Sequence, residues 1–128
     1  MRKNTLEILI SHKSSQPIYE QICTQIKDMV LTGELSPGDM ITSVRALAKE
    51  LGIGALTVQK AYDRLQREGV IETVVGKGTY ITAKNTAAFE DQKNKLIESK
   101  AEELIDLAQK YGVGLEELVN LLKLLYEE

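Results

Sequence analysis

Seven polar side chains crowd one short stretch of this sequence: Thr57, Gln59, Lys60, Asp63, Arg64, Gln66 and Arg67. Coiled as a helix, the stretch turns them outward, opposite Val58, Ala61, Tyr62 and Leu65. A glutamine amide carries a donor and an acceptor side by side, which matches adenine on its major-groove edge, and a threonine methyl can meet the methyl of thymine. Lys60, Arg64 and Arg67 suit phosphate oxygens, contacts that fix position without reading sequence. Each of these cations taken singly fits a solvated helix face equally well. Further on, Gly76-Lys77-Gly78 sets one lysine on a tight turn, from which it can reach a phosphate or lie along a minor groove. A plain turn with a solvated lysine fits that tripeptide too.

Those groups need elements to hold them. Pro17 suits the first turn of a helix that runs through Ile18, Ile22, Ile26, Met29 and Val30 and stops at Gly33. Ser36-Pro37-Gly38-Asp39 reads as a turn. A second helix fits Ser43 to Leu51, capped by Thr42 or Ser43 and ended by Gly52. The polar-faced helix spans Ala55 to Glu68, with Gly69 beyond it. The β-branched run Val70 to Val75 and the return Thr79 to Thr82 flank the glycine turn and form a hairpin. Ala48, Gly52 and Val58 supply a small crossing residue, a left-handed turn and an inward apolar residue, as a helix-turn-helix requires. An ordinary helical hairpin uses the same devices; the β-hairpin directly after the third helix favours the winged form. Leu6 to Ile10 reads as a short strand or an ordered arm.

Composition excludes other classes. The chain has 128 residues, one modest domain or a small domain with an appendage. Its net charge is −3, but residues 1–85 carry +2 and residues 86–128 carry −5, so a duplex would bind at the N-terminal end. His12 is the only histidine and Cys23 the only cysteine, too few for a usual zinc set or a disulfide framework. Cys23 sits on a helical segment, where a free cysteine is ordinarily a small core residue. No catalytic group, metal or cofactor is therefore expected. No apolar run reaches the roughly 18–20 residues of a membrane span, and Leu6 to Ile10, broken by Glu7, is too short for a signal-peptide core. A cytoplasmic protein that engages no membrane is expected.

After a linker from Ala83 to Thr86, a long helix runs from Ala87 to about Tyr111 and a last one from Leu115 to about Tyr126. Phe89, Ile97, Ala101, Leu104, Ala108 and Tyr111 mark one stripe, coiled-coil-like from Ile97 onward, and Leu118, Leu121, Leu122 and Leu125 mark another. Two helices in one protomer can hardly enclose a drug-sized cavity of about 300–1,000 Å³. Their stripes call for a second copy, giving a homodimer through Phe89 to Tyr126; the alternative is that both helices fold back on their own domain. A small-molecule effector site, if there is one, would lie between protomers or beside the N-terminal domain.

From Pro17 to Thr82 the chain resembles the DNA-binding domain of the GntR family of bacterial regulators. The resemblance rests on Pro17-Ile18-Tyr19-Glu20-Gln21-Ile22, Gly33-Glu34-Leu35-Ser36-Pro37-Gly38-Asp39, Ser43-Val44-Arg45-Ala46-Leu47-Ala48 and Thr57-Val58-Gln59-Lys60-Ala61-Tyr62. Glu68-Gly69-Val70-Ile71-Glu72 and Gly76-Lys77-Gly78-Thr79-Tyr80 complete it. The short helical C-terminus resembles the YtrA subfamily. The resemblance implies a winged helix that binds operator DNA as a dimer, with Arg45, Thr57, Gln59, Gly76 and Lys77 at the duplex and Ser43 capping the second helix and touching phosphate. Lys60 and Arg64 join them as phosphate candidates from the helix face. Two places depart from the family pattern. Thr42 stands where many members have proline, and Gly54-Ala55-Leu56 stands where members carry polar residues. Leu56 has no side-chain donor or acceptor, so any readout there is apolar.

The fold expected is mainly α with a small β-hairpin: a winged helix-turn-helix domain over residues 1–83, then a two-helix dimerisation region over residues 84–128. The expected function is sequence-specific binding of double-stranded DNA at an inverted repeat, by a homodimer acting as a repressor. The alternative is a winged helix that binds a protein partner without reading DNA sequence.

Overall fold

The computed structural model describes residues 3–4, 6–82 and 87–127. Its elements are β1 (Lys3–Asn4), α1 (Ile18–Leu31), β2 (Met40–Ile41), α2 (Val44–Leu51), α3 (Ala55–Arg67), β3 (Ile71–Val74), β4 (Gly78–Ile81), α4 (Ala87–Lys110) and α5 (Leu115–Tyr126). The chain divides into two compact units, Met1–Lys93 and Asn94–Glu128, so the division falls within α4 and beyond the expected boundary at residue 83. The expected linker, Ala83 to Thr86, lies outside the described residues.

In the first unit, helices α1, α2 and α3 enclose an aliphatic core. Ile22, Ile26, Leu47, Val58 and Leu65 are fully buried, and Val70, Ile71 and Ile81 close the core from the sheet side. Each such side chain contributes about 1.5–3 kcal/mol by leaving water. Pro17 occupies the N-cap of α1 rather than its first turn, and its carbonyl accepts from the Gln21 amide at 3.1 Å. Ser43 Oγ accepts from the Ala46 amide at 3.2 Å and so starts α2. Gly52 ends α2 in the left-handed conformation, φ 67°, which turns the chain into α3 without a Cβ clash.

The hairpin of β3 and β4 is antiparallel, with Ile71 opposite Ile81 and Val74 opposite Gly78. The sheet extends further than the sequence pattern indicates: β2 joins β4 in antiparallel register and β1 joins β2 in parallel, giving the order β1-β2-β4-β3. Strands of two residues are too short to show alternation. The turn before β2 closes on itself, since the Asp39 amide donates to the Ser36 carbonyl at 3.0 Å and the Ser36 amide donates to Asp39 Oδ2 at 2.9 Å.

Leu6 to Ile10 is an ordered arm and not a strand. Leu6 and Ile8 enter the core while Glu7 and Leu9 face solvent. Side chains of α1 stand in for a neighbouring strand. The Leu9 amide donates to Gln25 Oε1 at 2.9 Å and Gln25 Nε2 donates back to the Leu9 carbonyl at 2.7 Å. One turn earlier, Gln21 accepts from the Ser11 amide at 2.8 Å and donates to the carbonyls of Ser11 and Gln16. The amide and carbonyl of Leu9 and of Ser11 are thereby paired without a ladder.

Phe89 corrects an expectation. Placed by its spacing on the dimerisation seam, it is only 1% exposed and belongs to the same buried cluster as Leu6, Ile8, Ile22 and Ile26. The largest apolar side chain at the start of α4 fills the core of its own domain, and Gln92 Nε2, three residues on, donates to the Thr24 carbonyl of α1 at 3.0 Å.

In the second unit, Gly112 (φ 74°) ends α4 in the left-handed conformation, and the Val113 amide donates to the Ala108 carbonyl at 2.7 Å. Ala108 and Leu118, also expected on the seam, are buried within the protomer and offer no surface to a second copy. Leu104 is half-buried, while Ile97, Ala101, Tyr111, Leu121, Leu122 and Leu125 are exposed. Leu96, Ile105 and Leu107 are exposed beside them. Among the described residues no helix is long and apolar enough to cross a membrane.

Two predictions follow from this packing. Phe89→Ala should destabilise the N-terminal unit by about 3–5 kcal/mol, read as a lower denaturant midpoint for a probe in that unit. Cys23 Sγ donates to the Ala61 carbonyl at 3.4 Å between α1 and α3, and burial lifts its thiol from the usual 9.0 to about 11, partly offset by the charges of Arg64 and Lys27. The folded state thus holds this proton more tightly, and the stabilisation, whole below pH 9, is lost as pH rises through about 11. Denaturation curves between pH 7 and pH 11 should fall with pH, and Cys23→Ala should flatten that fall.

Candidate nucleic-acid interface

The N-terminus of α2, the outer face of α3 and the β3–β4 wing form three sides of an open cleft of about 470 Å³. Ser43, Arg45, Gln59, Gly76 and Lys77 all line it, so the structure gathers five of the eight expected DNA-binding residues into one concavity. Arg45 and Lys77 are exposed, and no lining residue is acidic. The cleft therefore carries net positive charge although the chain as a whole is negative. Gly78 of the wing turn also lines it, and Val44, Tyr62, Thr73, Val74, Val75 and Thr79, which sequence reasoning missed, complete the lining. The strand residues were accessible from the hairpin register, which sets Thr73 opposite Thr79, their hydroxyls 3.2 Å apart.

The wing tip depends on two glycines. Gly76 has φ 80° and Gly78 has φ 121°, conformations that side-chain-bearing residues rarely adopt. The Lys77 amide donates to the Val74 carbonyl at 2.9 Å, and Tyr80 Oη donates to the Lys77 carbonyl at 2.9 Å. The backbone of Lys77 is thus fixed while its side chain stays exposed.

On α3, Gln59 Nε2 donates to Asp63 Oδ1 at 2.8 Å, one helical turn on. Its Oε1 and second N–H remain for an outside partner. Thr57 is half-buried in the first turn of the helix. That turn has no side-chain cap, since Gly54 holds the N-cap, and the Thr57 amide donates to the Gly54 carbonyl at 3.2 Å.

Lys60 and Arg64 are not cleft residues. Lys60 Nζ lies 4.1 Å from the centroid of the Tyr19 ring and the Arg64 guanidinium carbon 6.0 Å from it, while Arg64 Nη1 pairs with Glu20 Oε1 at 3.7 Å. Both cations are turned to α1, where the ring's π face attracts them. At the end of α3, Lys27 and Glu68 form a largely buried ion pair at 3.0 Å.

Tyr62 anchors α3 from below. Its hydroxyl donates to the Thr42 carbonyl at 2.5 Å, and burial, reinforced by the Glu50 carboxylate, raises its pKa well above the tyrosine range. Thr42 Oγ1 in turn accepts from the Leu6 amide at 3.4 Å. A threonine at this point ties down the arm, which a proline could not do.

Comparison with known proteins decides what this geometry belongs to. Residues 18–81 match the family model of bacterial regulatory proteins, gntR family. The chain belongs to the GntR family. It is 43% identical over 116 residues to the HTH-type transcriptional repressor YtrA of Bacillus subtilis (strain 168), spanning 91% of this chain and 89% of that protein. The crystal structure of a transcriptional regulator from Oenococcus oeni superposes with a TM-score of 0.68 at 32% identity, covering 91% of this chain and 97% of that one. The DNA-binding domain of AraR, solved in complex with the operator ORX1, superposes with a TM-score of 0.53 at 27% identity over 62% of this chain and 99% of that one. This GntR protein is a DNA-binding transcriptional regulator of YtrA type and not an enzyme.

Arg45→Ala and Lys77→Ala should each weaken DNA binding and reduce the slope of log affinity against log salt by about 1, the amount expected for one lost phosphate contact. Both side chains are exposed, so thermal melting should be unchanged. Fluorescence anisotropy with a labelled duplex across a salt series measures both quantities.

Proposed function

We propose that this regulator binds an inverted-repeat operator as a homodimer and represses the genes behind it. The observation that carries the proposal is the cleft: base-reading Gln59 on one wall, Arg45 at the mouth of α2, and Lys77 at the wing tip, with no acidic side chain among them. Arg45 and Lys77 hold the phosphates and Ser43 adds its hydroxyl. Gln59 and Thr57 meet base edges in the major groove. Lys60 and Arg64, held over Tyr19, serve phosphates at the α1 edge outside the cleft.

One winged helix discriminates poorly between sequences, and two on a symmetric dimer multiply the discrimination. The exposed apolar side chains Ile97, Tyr111, Leu121, Leu122 and Leu125 support dimerisation through the second unit, because a water-soluble chain gains by covering them with a symmetric copy. A two-fold dimer places its recognition helices about one DNA turn apart, roughly 34 Å, and so reads an inverted repeat. Repression is the reading favoured by the likeness to the Bacillus subtilis repressor.

The test is selection of bound duplexes from a random library at near-physiological salt, followed by sequencing. An enriched inverted repeat is the expected outcome; a single ungapped half-site would refute dimeric reading. Truncation after Lys93, which keeps Phe89 in its core, should give a monomer in light scattering with at least tenfold weaker binding to the selected sequence. A truncated protein that remains a dimer would remove the second unit from the interface.

A further inference from the structure

We propose that Leu56 is a base-reading residue that recognises the C5 methyl of a thymine, next to the base pair met by Gln59. The inference rests on the reading of the cleft as a duplex-binding face and adds to it a determinant of sequence.

Leu56 is 87% exposed on the first turn of α3. It precedes Gln59 by three residues and Lys60 by four, so the three side chains neighbour one another on the helix surface. Gln59 lines the cleft, and Leu56 stands beside it on the same face of α3, just outside the lining. Ahead of it stand Gly54 and Ala55, neither of which has a functional group, so no polar side chain reaches past Leu56 from the start of the helix. A second apolar side chain, Val75, is 96% exposed and lines the same cleft from the wing.

Leu56 can neither donate nor accept a hydrogen bond, and the one apolar feature that a base pair shows in the major groove is the thymine methyl. Its surroundings select a duplex over an apolar protein patch. Gln59 stands one turn on from it, and the cleft that Gln59 lines has the cations Arg45 and Lys77 and no acidic lining residue. Asp63 sharpens the neighbouring readout, since its carboxylate takes one Gln59 N–H and leaves the amide in a single orientation, acceptor and donor together. That orientation matches adenine. The base pair beside it, read through a methyl, is then the one with thymine toward Leu56.

The test uses the full chain and the duplex that it selects from a random library, with each thymine replaced in turn by deoxyuridine, which lacks only the methyl. One thymine in each half-site should show a loss of about fourfold on replacement, the change for one buried methyl. Leu56→Ala should bind that duplex more weakly and show no difference between thymine and deoxyuridine there, with an unchanged melting temperature. Leu56→Asn, put through the same selection, should enrich a different base at that position. Insensitivity to deoxyuridine at every thymine, or a sensitivity that survives in Leu56→Ala, would overturn the assignment while leaving the cleft intact. A library from which the full chain enriches no sequence would instead overturn the reading of the cleft, and this assignment with it.

Discussion

A single buried hydrogen bond, from the Tyr62 hydroxyl to the Thr42 carbonyl, sets the relation among the parts of the cleft between α2, α3 and the wing. Tyr62 belongs to α3, the helix that carries Gln59. Thr42 follows β2, which pairs with the wing strand β4, and precedes Ser43, which caps α2 and places Arg45. One contact therefore fixes the recognition helix against both the wing and the arginine. Its burial keeps the phenol protonated and denies the carbonyl any water as a substitute. A buried acceptor left unpaired loses about 1–3 kcal/mol, so the bond is enforced as well as made. Tyr62 itself lines the cleft, so it supports the site from its floor.

The same economy holds the arm. A segment without a strand partner must satisfy its backbone somehow, and here two glutamines one turn apart on α1 do it, each offering donor and acceptor to one residue's amide and carbonyl. Thr42 contributes a third tie through Leu6. The arm then supplies Leu6 and Ile8 to the cluster that also takes Phe89 from α4. The start of the long C-terminal helix is consequently part of the DNA-binding domain, and a substitution at Phe89 bears on that domain first.

Much of this could be read from the residues in order. Helical spacing located all five helices within a residue or two, because each has an apolar stripe and the first four are each followed by a glycine, while Gly114 precedes the fifth. The glycine–lysine–glycine turn located the wing because only that backbone closes it. What escaped the sequence was set by tertiary contact. Two-residue strands carry no periodicity, and β2 exists only because β4 lies beside it. Phe89 fits a heptad seam by spacing, yet its bulk is matched to a core formed by residues far away in the chain. Lys60 and Arg64 look free on a helical wheel; Tyr19 and Glu20, some forty residues earlier, claim them. Cleft residues of the hairpin, such as Thr73 and Thr79, were legible in principle from the strand register but not from residue type.

The retention of Lys60 and Arg64 over Tyr19 also bears on how the protein divides affinity from specificity. Binding to DNA falls with salt in proportion to the number of phosphates neutralised. On the proposed reading the cleft supplies two exposed cations, Arg45 and Lys77, and Lys60 and Arg64 add phosphate contacts at the α1 edge. On the same reading Gln59, its amide held by Asp63, and the exposed Leu56 supply the contacts that depend on base identity. On the proposed dimeric reading, two copies in register on a matched site multiply the sequence-dependent contacts along with the phosphate ones. The charge distribution acts in the same direction: residues 86–128 carry −5 against +2 over residues 1–85, so a duplex is attracted to the N-terminal part of the chain and repelled by the C-terminal part.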